Sequence, residues 1–153
     1  MLVDARPATS HDLDDLVRLY AELEREMDDL SPLWIGASGL PGQPTMAFAA
    51  ALEDPDTVVA VGRIDEQVVG FGLVRAEPLP ASDRTMAAIR YIFTELPARE
   101  VGVAAAILEV LLEAMEGRGI DLFDAHVLPG HRLAKNFFES AGFKARHIVM
   151  HRK

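Results

Sequence analysis

The sequence contains no cysteine. This absence excludes a thiol nucleophile, a zinc site built from cysteines and a disulfide framework. The chain also lacks an uninterrupted apolar run of about 18 residues, the length that a membrane-spanning helix needs. Its longest apolar stretch, 101–115, is interrupted by Glu109 and Glu113. The first residues, MLVDARPATSHD, do not join a basic region to an apolar run, so we expect no signal peptide, no membrane partner and a cytoplasmic location.

Basic residues are scarce relative to acidic ones. The chain has 15 Lys and Arg against 24 Asp and Glu, which gives a formal net charge of -9. Proteins that bind nucleic acids usually have a basic patch, so we expect no nucleic-acid partner. An acidic protein is compatible with an amine substrate, although net charge steers ligands without defining a site. The length of 153 residues suits one domain that spans 1–153.

The hydrophobic pattern predicts an α/β fold with the element order βααβββαβαβ. The predicted strands are 2–6, 57–63, 67–77, 84–94, 120–128 and 147–153, and the predicted helices lie within 8–30, 46–52, 101–115 and 131–143. Thr9 or Ser10 is expected to cap the first helix. The segment 31–44 is rich in Gly and Pro and is expected to be a loop. Because Trp34 and Ile35 are apolar, we expect this loop to fold back onto the domain.

The segment REVGVA, Arg99–Ala104, opens an otherwise Ala- and Leu-rich helix with a glycine. Glycine inside a helix costs about 1 kcal/mol relative to alanine, so its presence needs a reason. The first N–H groups of a helix have no partner inside it and form an anion site with the helix dipole. The small residues Gly102 and Ala104 would let a pyrophosphate reach them, and Arg99 could pair with phosphate oxygens. Alternatively, Gly102 only permits close packing on the sheet.

With REVGVA after the fourth strand, the chain resembles the GNAT superfamily of N-acetyltransferases, whose acyl-CoA motif is Arg/Gln-x-x-Gly-x-Gly/Ala. AKNFFESAGF, Ala134–Phe143, is similar to that family's Ala-x-x-Phe-Tyr-Glu-x-x-Gly-Phe, and the ending VMHRK looks like its last strand. The resemblance covers the whole chain. It implies a GNAT-like fold, in which helices flank a central, mixed and twisted sheet.

The resemblance also implies a function, the transfer of an acetyl group from acetyl-CoA to a primary amine by direct attack. Acetyl-CoA would be the cosubstrate, no metal would take part, and the acceptor would be a small-molecule or peptide amine. In this family the fourth and fifth strands splay apart and hold the pantetheine arm between them. The residues that would bind acetyl-CoA are Phe93, Thr94, Arg99, Glu100, Val101, Gly102, Val103, Ala104, His131 and Phe138. Many members dimerise, and the apolar hairpin 57–77 could form a homodimer contact.

Three residues depart from the family's pattern. Phe138 stands where a Tyr is the presumed general acid, so another group would protonate the thiolate or the thiolate would leave unassisted. His131 stands where Asn is common, and it could contact CoA, carry a proton or lie on the surface. Glu100 stands where Gly or a basic residue is common. Its carboxylate would weaken pyrophosphate binding unless it points away, but it would stabilise the first helical turn.

The general base has several candidates. We predict Glu95 and His131 as catalytic residues, with Glu95 as the first choice of base. The alternative bases are His126, Glu77 and Asp83. A water chain could also take the proton. Each of these groups could instead be a solvated charge without a catalytic role. A second interpretation is a catalytically weak or inactive acyl-CoA-binding or sensor module, for which Phe138 is the main argument. A third is a structural domain without a ligand.

Overall fold

A computed structural model describes the backbone of residues 1–153 and their side chains except that of residue 37. One five-stranded sheet runs through it. The strands are β1 (Val3–Pro7), β2 (Thr57–Ile64), β3 (Gln67–Pro78), β4 (Thr85–Thr94) and β5 (Phe123–Ala125). They are ordered β1-β2-β3-β4-β5, and the pairings are antiparallel except for the parallel pair β4–β5. The sheet is mixed, so the predicted α/β fold is confirmed.

Helices cover both faces of the sheet. They are α1 (Leu13–Leu30), α2 (Trp34–Ser38), α3 (Pro44–Glu53), α4 (Val103–Glu116) and α5 (Arg132–Ser140), with short 3-10 turns at Ser10–Asp12 and Leu96–Ala98. One core cluster joins α1, α2 and α3 to one face, and a second joins α4 and α5 to the other. None of the helices that the structure describes is long and apolar enough to cross a membrane.

A β-bulge in β4 changes which side chains face each helix layer. Leu73 pairs with Tyr91 and Val74 pairs with Ile89, so Arg90 is the extra residue. As a result Ile89 packs in the α4 cluster, whereas Tyr91, two residues later, packs in the α1 cluster. A bulge re-aims the side chains around it. Here it leaves Arg90 partly exposed close to the point where β4 and β5 stop pairing.

The structure corrects several sequence-based boundaries. The predicted strand 147–153 is absent from the described chain, in which residues 143–153 belong to no strand or helix. Strand β5 is only three residues long, against the predicted 120–128, and it pairs with only three residues of the longer β4. The predicted loop 31–44 contains α2, and Trp34 folds back as expected to pack on Tyr20 and Tyr91. The hairpin 57–77 lies in the middle of the sheet with the centres of both strands buried, so its exposed residues are at the turn and the strand ends, and the homodimer contact stays a prediction.

Candidate active site

The parallel strands β4 and β5 separate halfway along β4. Their pairing ends with Ile89 opposite Ala125, and the N–H of His126 donates one more hydrogen bond to the Ile89 carbonyl at 3.1 Å. Strand β4 continues beyond Ile89 to Thr94. In the part of the chain that the structure describes, this second half of β4 does not pair with β5. This leaves an open gap beside the second half of β4, at the position where the resemblance implies a splay between the two strands.

The loop from β4 to α4 has two residues in the left-handed conformation. Glu100 has φ 68° and Gly102, which precedes the first turn of α4, has φ 96°. A Cβ built on Gly102 would meet no described atom within 4 Å, so close packing does not explain the glycine. The positive φ does, since other residues adopt it at a cost. The loop is exposed at residues 100–102, and the first N–H groups of α4 have no intrahelical partners.

Arg99 is held by protein groups on three sides. Its two terminal nitrogens donate to the carboxylate of Glu26 at 2.9 and 3.0 Å, and its Nε donates to the Thr94 carbonyl at 2.8 Å. The guanidinium carbon also lies 5.4 Å from the ring centroid of Phe93. The charge that we expected to face a phosphate is therefore paired with Glu26 in α1. No sequence pattern pointed to Glu26, which lies 73 residues away along the chain.

His131 lies at the start of α5 close to the same ion pair. Partial burial lowers the pKa of its imidazole, while Glu26 raises it and Arg99 lowers it further. The structure thus brings His131, Arg99, Thr94 and Phe93 to one end of β4, as their joint assignment to acetyl-CoA binding requires. Thr94 adds a polar group to this region, because its Oγ1 is buried and has no hydrogen-bond partner among the described residues. A buried polar atom of this kind needs an explanation such as a ligand or a water.

Glu95 follows directly after β4, and its carboxylate is paired. Arg18 in α1 donates to Glu95 Oε2 at 2.8 Å and also donates to the Val68 carbonyl at 3.0 Å. Glu95 lies at the predicted end of β4, but its carboxylate is therefore already engaged by Arg18.

A second group of charged side chains lies where β4 and β5 separate. Arg90 donates to Glu77 at 2.5 Å, and Arg146 donates to Asp124 at 2.7 and 2.5 Å. His126 lies in the field of these ions. His126 is an exposed residue, but partial desolvation of its imidazole and the nearby Arg90 lower its pKa, while Glu77 and Asp124 oppose the shift. His126 is therefore mostly neutral at pH 7 and can accept a proton.

The remaining candidates are placed away from the gap or buried. Asp83 is exposed in the turn before β4, at the opposite end of that strand from Thr94. Phe138 is buried, and its ring packs against Phe137 and Phe143 with centroid distances of 5.2 and 5.3 Å. Phe138 thus fills an aromatic cluster beside α4. Its ring has no proton to donate.

A profile of the family described as "Acetyltransferase (GNAT) family" matches residues 14–143. No curated protein sequence matches the chain.

Three solved structures share the fold along nearly the whole chain. A transcriptional regulator from Bacillus halodurans C-125 is 25% identical with a TM-score of 0.79, and 99% of each chain is covered. AAC(6')-Iy, in complex with the bisubstrate analogue CoA-S-monomethyl-acetylneamine, is 16% identical with a TM-score of 0.77 and coverage of 100% and 99%. A predicted acetyltransferase from Clostridium acetobutylicum, with acetyl-CoA, is 17% identical with a TM-score of 0.73 and coverage of 99% and 96%.

Proposed function

The chain belongs to the acetyltransferase (GNAT) family, and we propose that it transfers the acetyl group of acetyl-CoA to the primary amine of a small molecule. The separation of β4 from β5 beside the loop that opens α4 is the observation that carries this proposal. It combines an exposed strand edge for an extended ligand with a helix N-terminus for its phosphates. Two structural neighbours contain acetyl-CoA or a CoA analogue, which supports the choice of cosubstrate.

The residues around the gap fit an acyl-CoA. The free edge of β4 at Phe93 and Thr94 offers backbone N–H and C=O groups to an amide-bearing arm. The left-handed loop and the first turn of α4, from Glu100 to Ala104, offer N–H groups to a pyrophosphate. Glu100 is exposed, so its carboxylate can stay clear of those phosphates.

We assign proton acceptance to His126 in place of Glu95. Acetyl-CoA supplies an activated acyl group: the amine nitrogen bonds to the thioester carbonyl carbon, the C–S bond breaks, the amine loses a proton and the sulfur leaves as thiolate. His126 lies at the separation of β4 and β5, and its lowered pKa keeps it ready to take that proton. Because a thiolate is a fair leaving group, the reaction does not need a tyrosine at Phe138.

The acceptor is an amine that enters beside β5. The carboxylates of Glu77 and Asp124 near His126 are already paired with Arg90 and Arg146, so the preference for a cationic molecule rests on the formal net charge of -9 of the whole chain. AAC(6')-Iy is bound to a bisubstrate analogue, CoA-S-monomethyl-acetylneamine, which joins CoA to a small amine. This neighbour favours a small molecule over a peptide as the acceptor.

The second candidate function is an acyl-CoA-binding module without turnover. The observations in its favour are the aromatic cluster that holds Phe138 and the ion pair that occupies Glu95. The two functions differ in one respect, since only an enzyme releases free CoA when an amine is added. Binding of acetyl-CoA is common to both.

Calorimetric titration with acetyl-CoA tests the shared part of the proposal. Gly102→Glu places a negative charge at the first turn of α4, and Gly102→Ala is the matched control, because both variants share the strain of a positive φ. We expect micromolar binding to the wild type, a loss of at least tenfold in Gly102→Glu and a smaller loss in Gly102→Ala. A wild type that does not bind overturns the proposal.

Release of CoA with a panel of amines, including neamine, then separates the enzyme from the binding module.

A further inference from the structure

Both edges of the Arg99 guanidinium that suit a phosphate are engaged by protein atoms. Nη1 and Nη2 donate to the two carboxylate oxygens of Glu26 at 2.9 and 3.0 Å, and Nε donates to the Thr94 carbonyl at 2.8 Å. A guanidinium binds an oxyanion most strongly through parallel hydrogen bonds from one edge of its planar fork. Glu26 takes the edge between the terminal nitrogens, and Thr94 takes part of the edge that includes Nε. A phosphate held in this way has to replace one of these two acceptors.

The two acceptors differ in how easily they can be replaced. Thr94 is the last residue of β4 and is buried, so its carbonyl cannot move without disturbing the strand. Glu26 reaches Arg99 from α1 with a flexible side chain that is 29% exposed. Water can hydrate its carboxylate once the side chain rotates away, so the exchange leaves no buried charge without a partner. Glu26 is therefore the acceptor that a phosphate would replace.

The charge of Glu26 also acts against an anion at this place. Arg99 lies three residues before Gly102, in the loop whose N–H groups face the proposed pyrophosphate site. The paired carboxylate neutralises the positive charge of that loop and repels a phosphate by its own charge. In the part of the chain that the structure describes, Glu26 is the one carboxylate that pairs with Arg99. Removing it would leave the guanidinium to the phosphate.

We propose that Glu26 competes with the pyrophosphate of acetyl-CoA for Arg99 and so sets the affinity of this chain for its cosubstrate. The carboxylate holds the guanidinium before acetyl-CoA binds. When the pyrophosphate arrives, Arg99 exchanges one oxyanion for the other and Glu26 turns towards water. The exchange also releases the link between this loop and α1. This inference rests on the proposed function, because it takes acetyl-CoA as the ligand of the loop.

Calorimetric titration of charge variants with acetyl-CoA tests the competition. Glu26→Gln keeps the shape of the side chain and removes its charge, so it should bind acetyl-CoA about five- to tenfold more tightly than the wild type, roughly the effect of one hydrogen bond. Glu24→Gln is the matched control, because it removes the same charge from α1 at a position two residues away, which faces a different side of the helix. It should change the affinity by no more than about twofold, since exposed charges are screened by salt.

An Arg99→Gln background shows whether the gain passes through the guanidinium. In that background Glu26→Gln should tighten binding no more than Glu24→Gln does, because the group for which the two anions compete is missing. Urea denaturation without ligand establishes that each variant is folded.

The outcomes separate this inference from the proposed function. If the wild type binds acetyl-CoA and Glu26→Gln binds it equally or more weakly, Glu26 is no competitor and the inference alone is overturned. A gain in affinity that persists without Arg99 also overturns it, since general charge repulsion then explains the gain. If neither the wild type nor Glu26→Gln binds acetyl-CoA, the proposed function fails together with the inference.

Discussion

Arg99 and Glu26 form a two-point ion pair that joins the loop before α4 to helix α1, with both N···O distances at or below 3.0 Å. Because Arg99 Nε also donates to the Thr94 carbonyl, one guanidinium fixes the end of β4, the following loop and α1 relative to each other. The side chains of Arg99 and Glu26 are 22 and 29% exposed, so water screens the pair only in part. The first turn of α4 is therefore positioned before any phosphate arrives.

Arg99→Lys should destabilise the fold. Lysine keeps the positive charge but cannot donate to both Glu26 oxygens and to Thr94 at once. We expect the free energy of unfolding to fall by about 1–3 kcal/mol, the range for hydrogen bonds to charged groups. Urea denaturation measures this loss of stability. Arg25→Lys is the control, because Arg25 is exposed on the surface of α1. Equal midpoints for the two variants would show that the ion pair adds nothing to stability.

Asp12 gives the fold an acid-sensitive contact. Hydrogen bonds from Arg6 hold the pKa of Asp12 below its ordinary value of 3.8 against the effect of burial, with help from the Thr9 N–H. A carboxyl whose pKa is lower in the folded state stabilises it above the unfolded pKa, and this contribution is lost as pH falls through the folded value. We expect the free energy of unfolding to fall below about pH 4 for this reason.

Asp12→Asn isolates that contribution. It should cost about 1–3 kcal/mol at pH 7 and flatten the decline in stability below pH 4. Asp14→Asn is the control, because Asp14 is exposed in the first turn of α1. Denaturation curves between pH 3 and 7 give the comparison, and parallel curves for wild type and Asp12→Asn would contradict the assignment.

The sequence predicted those features that depend on local pattern. Strands β2, β3 and β4 were recognisable from apolar, β-branched runs. The start of α4 was recognisable from Gly102, because a glycine is unfavourable in the interior of a helix. The final strand was wrong because a strand also needs a neighbour, and nothing in residues 147–153 tells whether the chain supplies one.

The site was less predictable because its contacts join distant residues. From the sequence, Arg99 was expected to be available for a phosphate and Glu95 to be available as a base. In the structure Glu26 pairs with Arg99, and Arg18 pairs with Glu95. The bulge at Arg90 depends on the register between β3 and β4, which no single strand encodes. By contrast, the place of Gly102 at the start of α4 was predicted from the sequence, although its left-handed conformation was not.

Glycines in the middle of the sheet let α4 pack closely. A Cβ on Gly72 would lie 2.5 Å from Ile107 Cγ2 and 2.9 Å from Leu111 Cδ1. Gly72→Ala should therefore overpack this interface and lower the free energy of unfolding by about 1–3 kcal/mol. Gly36→Ala in α2 is the matched control, because its Cβ would meet no described atom within 4 Å and alanine favours helices. Thermal unfolding checks both, and an unchanged midpoint for Gly72→Ala would mean that α4 can shift without cost.

His126 should set the acid limb of the reaction. Because partial desolvation and Arg90 lower the pKa of the exposed His126, the neutral base persists to a pH below the ordinary value of 6.5. Activity should decline only below that pH. His126→Gln should reduce kcat by about 10² or more and remove this decline. Glu95→Gln should leave the decline in place, since Glu95 is paired with Arg18. CoA release with the best acceptor, measured from pH 5 to 8, compares them; a reversed pattern would restore Glu95 as the base.

Thr94→Val separates a ligand contact from a structural one. Thr94 Oγ1 is buried and has no hydrogen-bond partner among the described residues, so replacing it with a methyl group should leave stability unchanged or raise it. If the hydroxyl serves acetyl-CoA, the same variant should bind acetyl-CoA about three- to tenfold more weakly, the loss of one hydrogen bond. Calorimetry and urea denaturation of one preparation give both values. Thr85→Val, at the far exposed end of β4, controls for β-propensity. A variant that loses stability and keeps its affinity would assign the hydroxyl to the fold, through a partner such as a buried water.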